Sequence, residues 1–193
     1  MNKKLTEIVF LLDRSGSMSG LEKDTIGGFN SFVKRQCELD EETVLTAVLF
    51  DDQYEVLCSG APAKSVHLTS NEYYVRGTTA LLDAVGKTIL DVGYRLSQVN
   101  EEDRPGKIIF VITTDGMENA SHEFSYEKVK DLIRHQQEKY SWEFIFMGAN
   151  IDVAKEAESI GIKEENAFHF EATNDGVENM YTIMSEQVTA RRK

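Results

Sequence analysis

The stretch IVFLLDRSGSMSG, residues 8–20, runs five apolar residues into an aspartate and then into alternating serines and glycines. A run that short and that continuously apolar, bounded by turn residues, reads as a strand buried on both faces. Asp13, Ser15 and Ser17 then fall at the carboxyl end of that strand.

Further apolar runs with the same boundaries predict strands at Glu7 to Leu12, Val44 to Phe50, Tyr54 to Cys58, Lys107 to Thr113, Trp142 to Met147 and Ala167 to Phe170. Between them the apolar spacing changes to threes and fours. Ile26, Phe29, Val33 and Cys37 form one helical face, Leu81, Val85, Ile89, Val92 and Leu96 a second, and Tyr126, Val129, Ile133 and Tyr140 a third. Strands alternating with amphipathic helices imply a parallel sheet covered on both sides. FDDQYE leaves too short a connection for anything but antiparallel neighbours, so the strand after it is a reversed edge. The fold class expected is α/β: Rossmann-like, doubly wound, a mostly parallel six-stranded sheet with one antiparallel edge strand and helices on both faces. One domain spanning 1–193 is expected, because the length suits a single core and no Pro-rich or low-complexity stretch divides the chain.

The net charge of -12 argues against nucleic-acid and anionic-membrane surfaces, which need clustered Lys and Arg. The basic trio Arg191, Arg192 and Lys193 reads as a solvated end. No apolar run at the start is long enough for a secretion signal or a membrane span, and a cytoplasmic location is expected. Cys37 and Cys58 read as reduced, partly buried thiols, and the histidines have no partners at metal-ligand spacing.

In an open α/β sheet, ligands gather at the carboxyl ends of the strands. There the sequence delivers Asp13, Ser15 and Ser17, then Asp51 and Asp52, then Asp115 and Gly116, then Asn150, with RGTT (residues 76–79) leading into a helix. Hydroxyls and carboxylates are hard oxygen donors, suited to a small hard cation such as Mg²⁺. Catalytic alternatives fail on the same residues. A haloacid-dehalogenase phosphatase needs a second acid where this chain has Ser15, and GSMSG puts Met18 at the nucleophile position of a hydrolase elbow. Neither a dinucleotide fingerprint nor a P-loop occurs.

DRSGSM (residues 13–18) resembles the Asp-x-Ser-x-Ser element of von Willebrand factor type A (vWA) domains. RGTTALLDAV resembles their threonine loop, and FVITTDGMEN the strand that ends in their last aspartate. The resemblance implies a metal-ion-dependent adhesion site (MIDAS) of Asp13, Ser15, Ser17, Thr78 and Asp115, holding Mg²⁺ or Mn²⁺. The threonine is placed at Thr78, with Thr79 one residue on as the alternative. By resemblance the chain is a stand-alone bacterial member and a non-enzymatic interaction module whose ion is completed by an Asp or Glu of a partner protein. An AAA ATPase or a stress-response complex is the partner class that the family suggests. An Mg-dependent hydrolase of phosphoesters or esters is the alternative.

Several nearby residues have structural readings. Ser19-Gly20-Leu21-Glu22 has the form of a capping box, Asp83 suits a helix dipole, and Asp51 and Asp52 suit a hairpin turn. Gly27-Gly28 suits close packing of a helix on the sheet. Arg14 and Arg76 are read as a positive collar around the ion, steering an acidic partner to a negatively charged chain.

Overall fold

A computed structural model describes residues 1–193. The elements run β1 (Asn2–Asp13), α1 (Glu22–Cys37), β2 (Glu42–Phe50), β3 (Tyr54–Pro62), α2 (Leu81–Ser97), β4 (Pro105–Thr114), α3 (Tyr126–Tyr140), β5 (Glu143–Gly148), α4 (Val153–Ser159), β6 (Ala167–His169) and α5 (Asn174–Arg192). They form one six-stranded sheet in the order β3-β2-β1-β4-β5-β6. All pairs are parallel except β2–β3, so the fold class expected from the sequence is the one observed.

The alternation within β1 explains the two layers. Ile8, Phe10 and Leu12 face one side and join a core with Phe29 and Phe32 of α1 and Met180, Met184 and Val188 of α5. Val9 and Leu11 face the other, where Leu81, Val85 and Ile89 of α2 meet Val129 and Ile133 of α3 and Ala157 of α4. A central strand buried on both faces cannot show a period of two, hence the continuous apolar run. α4 and α5 lie outside the three helical faces read from spacing; α4, at seven residues, is too short to display a face. Tyr126 and Tyr140, counted on the apolar face of α3, are exposed, and only Val129 and Ile133 of that face are buried.

Three local expectations are corrected. Leu21, not Ser19, is the N-cap of α1, and no side chain caps it; burial of Leu21 and the left-handed turn at Gly20 set the start of the helix and leave Ser19 exposed. Gly28 packs against α5 rather than the sheet, since a Cβ there would lie 2.8 Å from Cγ of Tyr181, while Gly27 faces open space. The terminal arginines are held. Arg192 is buried and donates to the carbonyls of Gln36 and Glu41, and Arg191 pairs with Glu143 at 3.2 Å. No helix is long and apolar enough to cross a membrane.

Candidate metal centre

β1 and β4 are neighbours, so their carboxyl ends deliver Asp13 and Asp115 to one place. Asp13 is buried and its carboxylate is fully engaged. Oδ1 accepts from the Ser15 amide at 2.7 Å, and Oδ2 accepts from the Thr114 hydroxyl at 2.9 Å and the Asp115 amide at 3.3 Å. The Tyr73 hydroxyl donates to the Asp13 carbonyl from beneath at 2.8 Å. Asp13 thus fixes the two turns that carry the other oxygens.

After Asp13 the chain makes a short 3-10 turn, Gly16–Met18. Met18 and Leu21 are anchored in the core, which leaves Ser17 exposed at the surface above them. The Ser15 and Ser17 hydroxyl oxygens stand 3.1 Å apart, and Ser17 Oγ donates to Asp115 Oδ1 at 2.5 Å. Asp115 Oδ2 is buried and has no hydrogen-bond partner.

Thr79, not Thr78, belongs to this group. A Cβ placed on Gly116 would lie 3.7 Å from Ser17 Oγ and 4.0 Å from Thr79 Oγ1, so the two hydroxyls converge beside Asp115. Thr79 is buried, whereas Thr78 is exposed. The physical reason lies in Gly77, whose left-handed backbone turns the chain and whose carbonyl accepts from the Gly16 amide at 3.1 Å. α2 starts only at Leu81, so Thr79 need not begin the helix.

The loop after β4 locks Thr79 in place. Asn119 Oδ1 accepts from the Thr79 amide at 2.9 Å, and the Asn119 amide donates to the Thr79 carbonyl at 3.0 Å. Glu118 Oε2 accepts from the Leu82 amide at 2.9 Å and so caps α2 from a distant segment. Asp83 returns the favour by accepting from the amides of His122, Glu123 and Phe124. Its expected position in the first turn of α2 is confirmed, but the work it does is to hold a loop. Asn150 Nδ2 donates to the Asp115 carbonyl at 3.0 Å from the end of β5. Sequence reading found Asn150 by its place after a strand. It missed Thr114, Glu118 and Asn119, although the same rule of place covers the residues around Asp115.

The positive collar does not form. Arg14 is fully buried, pairs with Glu55 at 2.8 Å and lies 3.6 Å from Asp51. Arg76 pairs with Asp51 at 2.6 Å and donates to Gln53. Both guanidiniums stack on Tyr74. Asp51 also accepts from the Gln53 amide, as the expected hairpin turn requires. These arginines brace the loops, and their charge is already matched.

Both aspartates of the site hold their protons more tightly than a free carboxyl. Burial pushes the Asp13 carboxyl up, against the pull of its hydrogen bonds. Burial likewise pushes Asp115 up to about 6; the Ser17 hydrogen bond opposes the shift, and the neighbouring Asp13 charge adds to it. Burying two neighbouring carboxylates costs free energy, which a cation bound to them would offset. An unpartnered buried carboxylate oxygen among three hydroxyls is the feature that a cation would satisfy. The donors are all hard oxygens, two carboxylates and three hydroxyls, and nowhere in the chain, this site included, do three His, Cys, Asp or Glu side chains gather. The residues present therefore fit a small hard divalent ion.

The course of the chain matches a set of solved structures over nearly its whole length. The chain has a von Willebrand factor type A fold. Proximal thread matrix protein 1 from the mussel byssus, solved with a zinc-occupied MIDAS motif, superposes with a TM-score of 0.64 at 18% identity over 95% of this chain and 45% of that one. The D319A mutant of the PilB minor pilin of Streptococcus sanguinis gives 0.66 at 10% identity, covering 97% and 61%. The ArnB paralog VWA2 of Sulfolobus acidocaldarius gives 0.61 at 16% identity, covering 97% and 45%. This chain thus spans about half the length of the structures it matches. No family model and no curated protein matches the sequence. Within this vWA fold the site occupies the end of the sheet where β1, β4 and the loop before α2 meet.

Proposed function

We propose that the chain is a non-enzymatic interaction module that binds a divalent cation and, through it, an Asp or Glu of a partner protein. The observation that supports this most is the unpartnered, buried Asp115 Oδ2 set among the hydroxyls of Ser15, Ser17 and Thr79. Those three hydroxyls and Asp115 would hold the ion, and Asp13 orients the turn that presents the serines. Mg²⁺ or Mn²⁺ suits the hard oxygen set; Zn²⁺ is the ion in the mussel protein's motif. When bound, the ion supplies an open coordination position and a positive charge that neutral hydroxyls leave largely uncompensated.

The protein's own groups explain why binding fits better than turnover. Asp13 has no free oxygen, because both accept hydrogen bonds within the fold. Neither histidine nor lysine takes part in the hydrogen bonds of the cluster, and Asp115, the carboxylate with a free oxygen, would be engaged by the ion rather than free to act as a general base. With Arg14 and Arg76 already paired, attraction of an acidic partner rests on the ion. The cytoplasm is the proposed location, and an AAA ATPase or a stress-response complex is the proposed class of partner.

Isothermal titration with Mg²⁺, Mn²⁺ and Zn²⁺ tests the ion, and affinity capture in Mg²⁺ or EDTA tests the partner. Wild type should bind the ion and retain an acidic partner only without chelator. Asp115→Ala should do neither. A genuine partner retained equally by Asp115→Ala in EDTA removes the ion from recognition.

A further inference from the structure

At the opposite end of the sheet a groove of about 830 Å³ opens between the C-terminal halves of α2 and α3, floored by Ile108 and Trp142. β4 runs from Pro105 at this groove to Thr114 beside the metal centre, so the two lie about 30 Å apart at ~3.3 Å per strand residue. Leu90, Gly93, Tyr94 and Ser97 form the α2 wall, a helical stripe with spacing three, four and seven. The chain exposes eight large hydrophobic side chains, and four of them, Met1, Leu90, Tyr94 and Tyr140, line this one groove. Scattered exposed apolar residues need no explanation, but a cluster in a concave place does. Gly93 leaves the floor open, since a Cβ there would only just reach the Trp142 ring, at 4.0 Å.

The charge of the groove runs against that of the molecule. Arg104, Lys139 and His135 line it with Glu101 as the opposing carboxylate, in a chain of net charge -12. Six of the eight arginines pair with a carboxylate, but Arg104 and Lys139 have no ion-pair partner. Arg104 Nε donates to the Val99 carbonyl at 2.9 Å, which anchors the guanidinium at the rim. Tyr, Trp and Arg are the side chains that carry most of the energy at protein interfaces.

We propose that this groove is a second docking surface and that its occupant is an acidic amphipathic helix of a partner protein. Apolar residues on one face of that helix would cover Leu90, Tyr94 and Trp142, and flanking Asp or Glu would pair with Arg104 and Lys139. A second copy of the chain is the poorer occupant, because it brings another net charge of -12 to the same place. Built this way, the module joins an ion-dependent contact at one end to an ion-independent contact at the other.

Selection of a displayed random-peptide library on the full chain in EDTA, with counter-selection on Tyr94→Lys, tests this. Tyr94 is 72% exposed, so the substitution leaves the core alone, and an unchanged melting temperature verifies that. Enriched peptides should carry apolar residues at helical spacing beside Asp or Glu. Their affinity should fall by about tenfold or more in both Tyr94→Lys and Arg104→Glu, weaken with salt and ignore EDTA. The proposal is overturned if no peptide prefers wild type, or if enriched peptides are neutral or basic. It is also overturned if Tyr94→Lys abolishes self-association seen by sedimentation, which makes the occupant a second copy. Loss of peptide binding on adding EDTA assigns it to the metal end and overturns the groove; survival in EDTA leaves the ion proposal to its own test.

Discussion

Replacing Asp115 with asparagine separates what the site costs the fold from what it does. The carboxyl is pushed from the ordinary aspartate value near 3.8 up to about 6, first by burial and then by Asp13. At about 1.36 kcal/mol per unit, that shift corresponds to about 3 kcal/mol of stability withheld when the group is ionised. Asparagine keeps an oxygen to accept from Ser17 but brings a buried amide that needs a partner of its own. The net gain expected at pH 7.5 in EDTA is therefore about 1–2 kcal/mol, or about 2–8 °C for a chain of this size.

The sign with pH follows from linkage. An acid whose folded-state value is raised binds its proton more tightly when folded, so its stabilising effect is fully present below the unfolded value and lost as pH rises through about 6. Wild type in EDTA should thus melt higher at pH 5 than at pH 7.5. Asp13 contributes a slope of the same direction in both proteins, so the readout is the difference between them. Divalent ion should reverse the ranking at pH 7.5, because an ion at a hundred times its Kd adds about 2.7 kcal/mol to wild type and nothing to the variant. Calorimetric melting of both proteins at the two pH values, with EDTA and with Mg²⁺, gives every term. A variant less stable than wild type in EDTA at pH 7.5, with no change in pH slope, would refute the reasoning.

Thr79→Ala should weaken divalent binding by about tenfold or more and Thr78→Ala by less than about twofold, measured by titration calorimetry. Gly28→Ala forces a methyl onto the Tyr181 ring and should cost about 1–3 kcal/mol, whereas Gly27→Ala meets open space in a helix and should gain about 0.5–1 kcal/mol; paired denaturant melts check both. Glu118→Ala leaves the amides of Leu82 and Ser121 unpaired and should lower stability by about 1–3 kcal/mol, with amide exchange fastest at the start of α2.

Most of the fold was legible because burial writes itself into apolar periodicity. The continuous run at Ile8 to Leu12 required a strand with core on both sides, and FDDQYE required a reversed edge. Asp13, Ser15, Ser17 and Asp115 were legible for a related reason: a sheet's connectivity carries whatever follows each parallel strand to the same end.

Tertiary structure decided what spacing cannot carry. Thr78 and Thr79 are adjacent and chemically identical, and only the Gly77 turn, tied to Gly16, and the Asn119 clamp bring Thr79 to the hydroxyls. Arg14 and Arg76 offered a free positive field in the sequence, and Asp51 and Glu55 cancel it in space. Ser19 matched a capping pattern, yet burial of Leu21 outweighed it. Residue type and order determined which chemistry the chain owns, since donors and apolar faces are local properties. Which donor meets which partner was decided by long-range packing, where the competing pairings are set against one another.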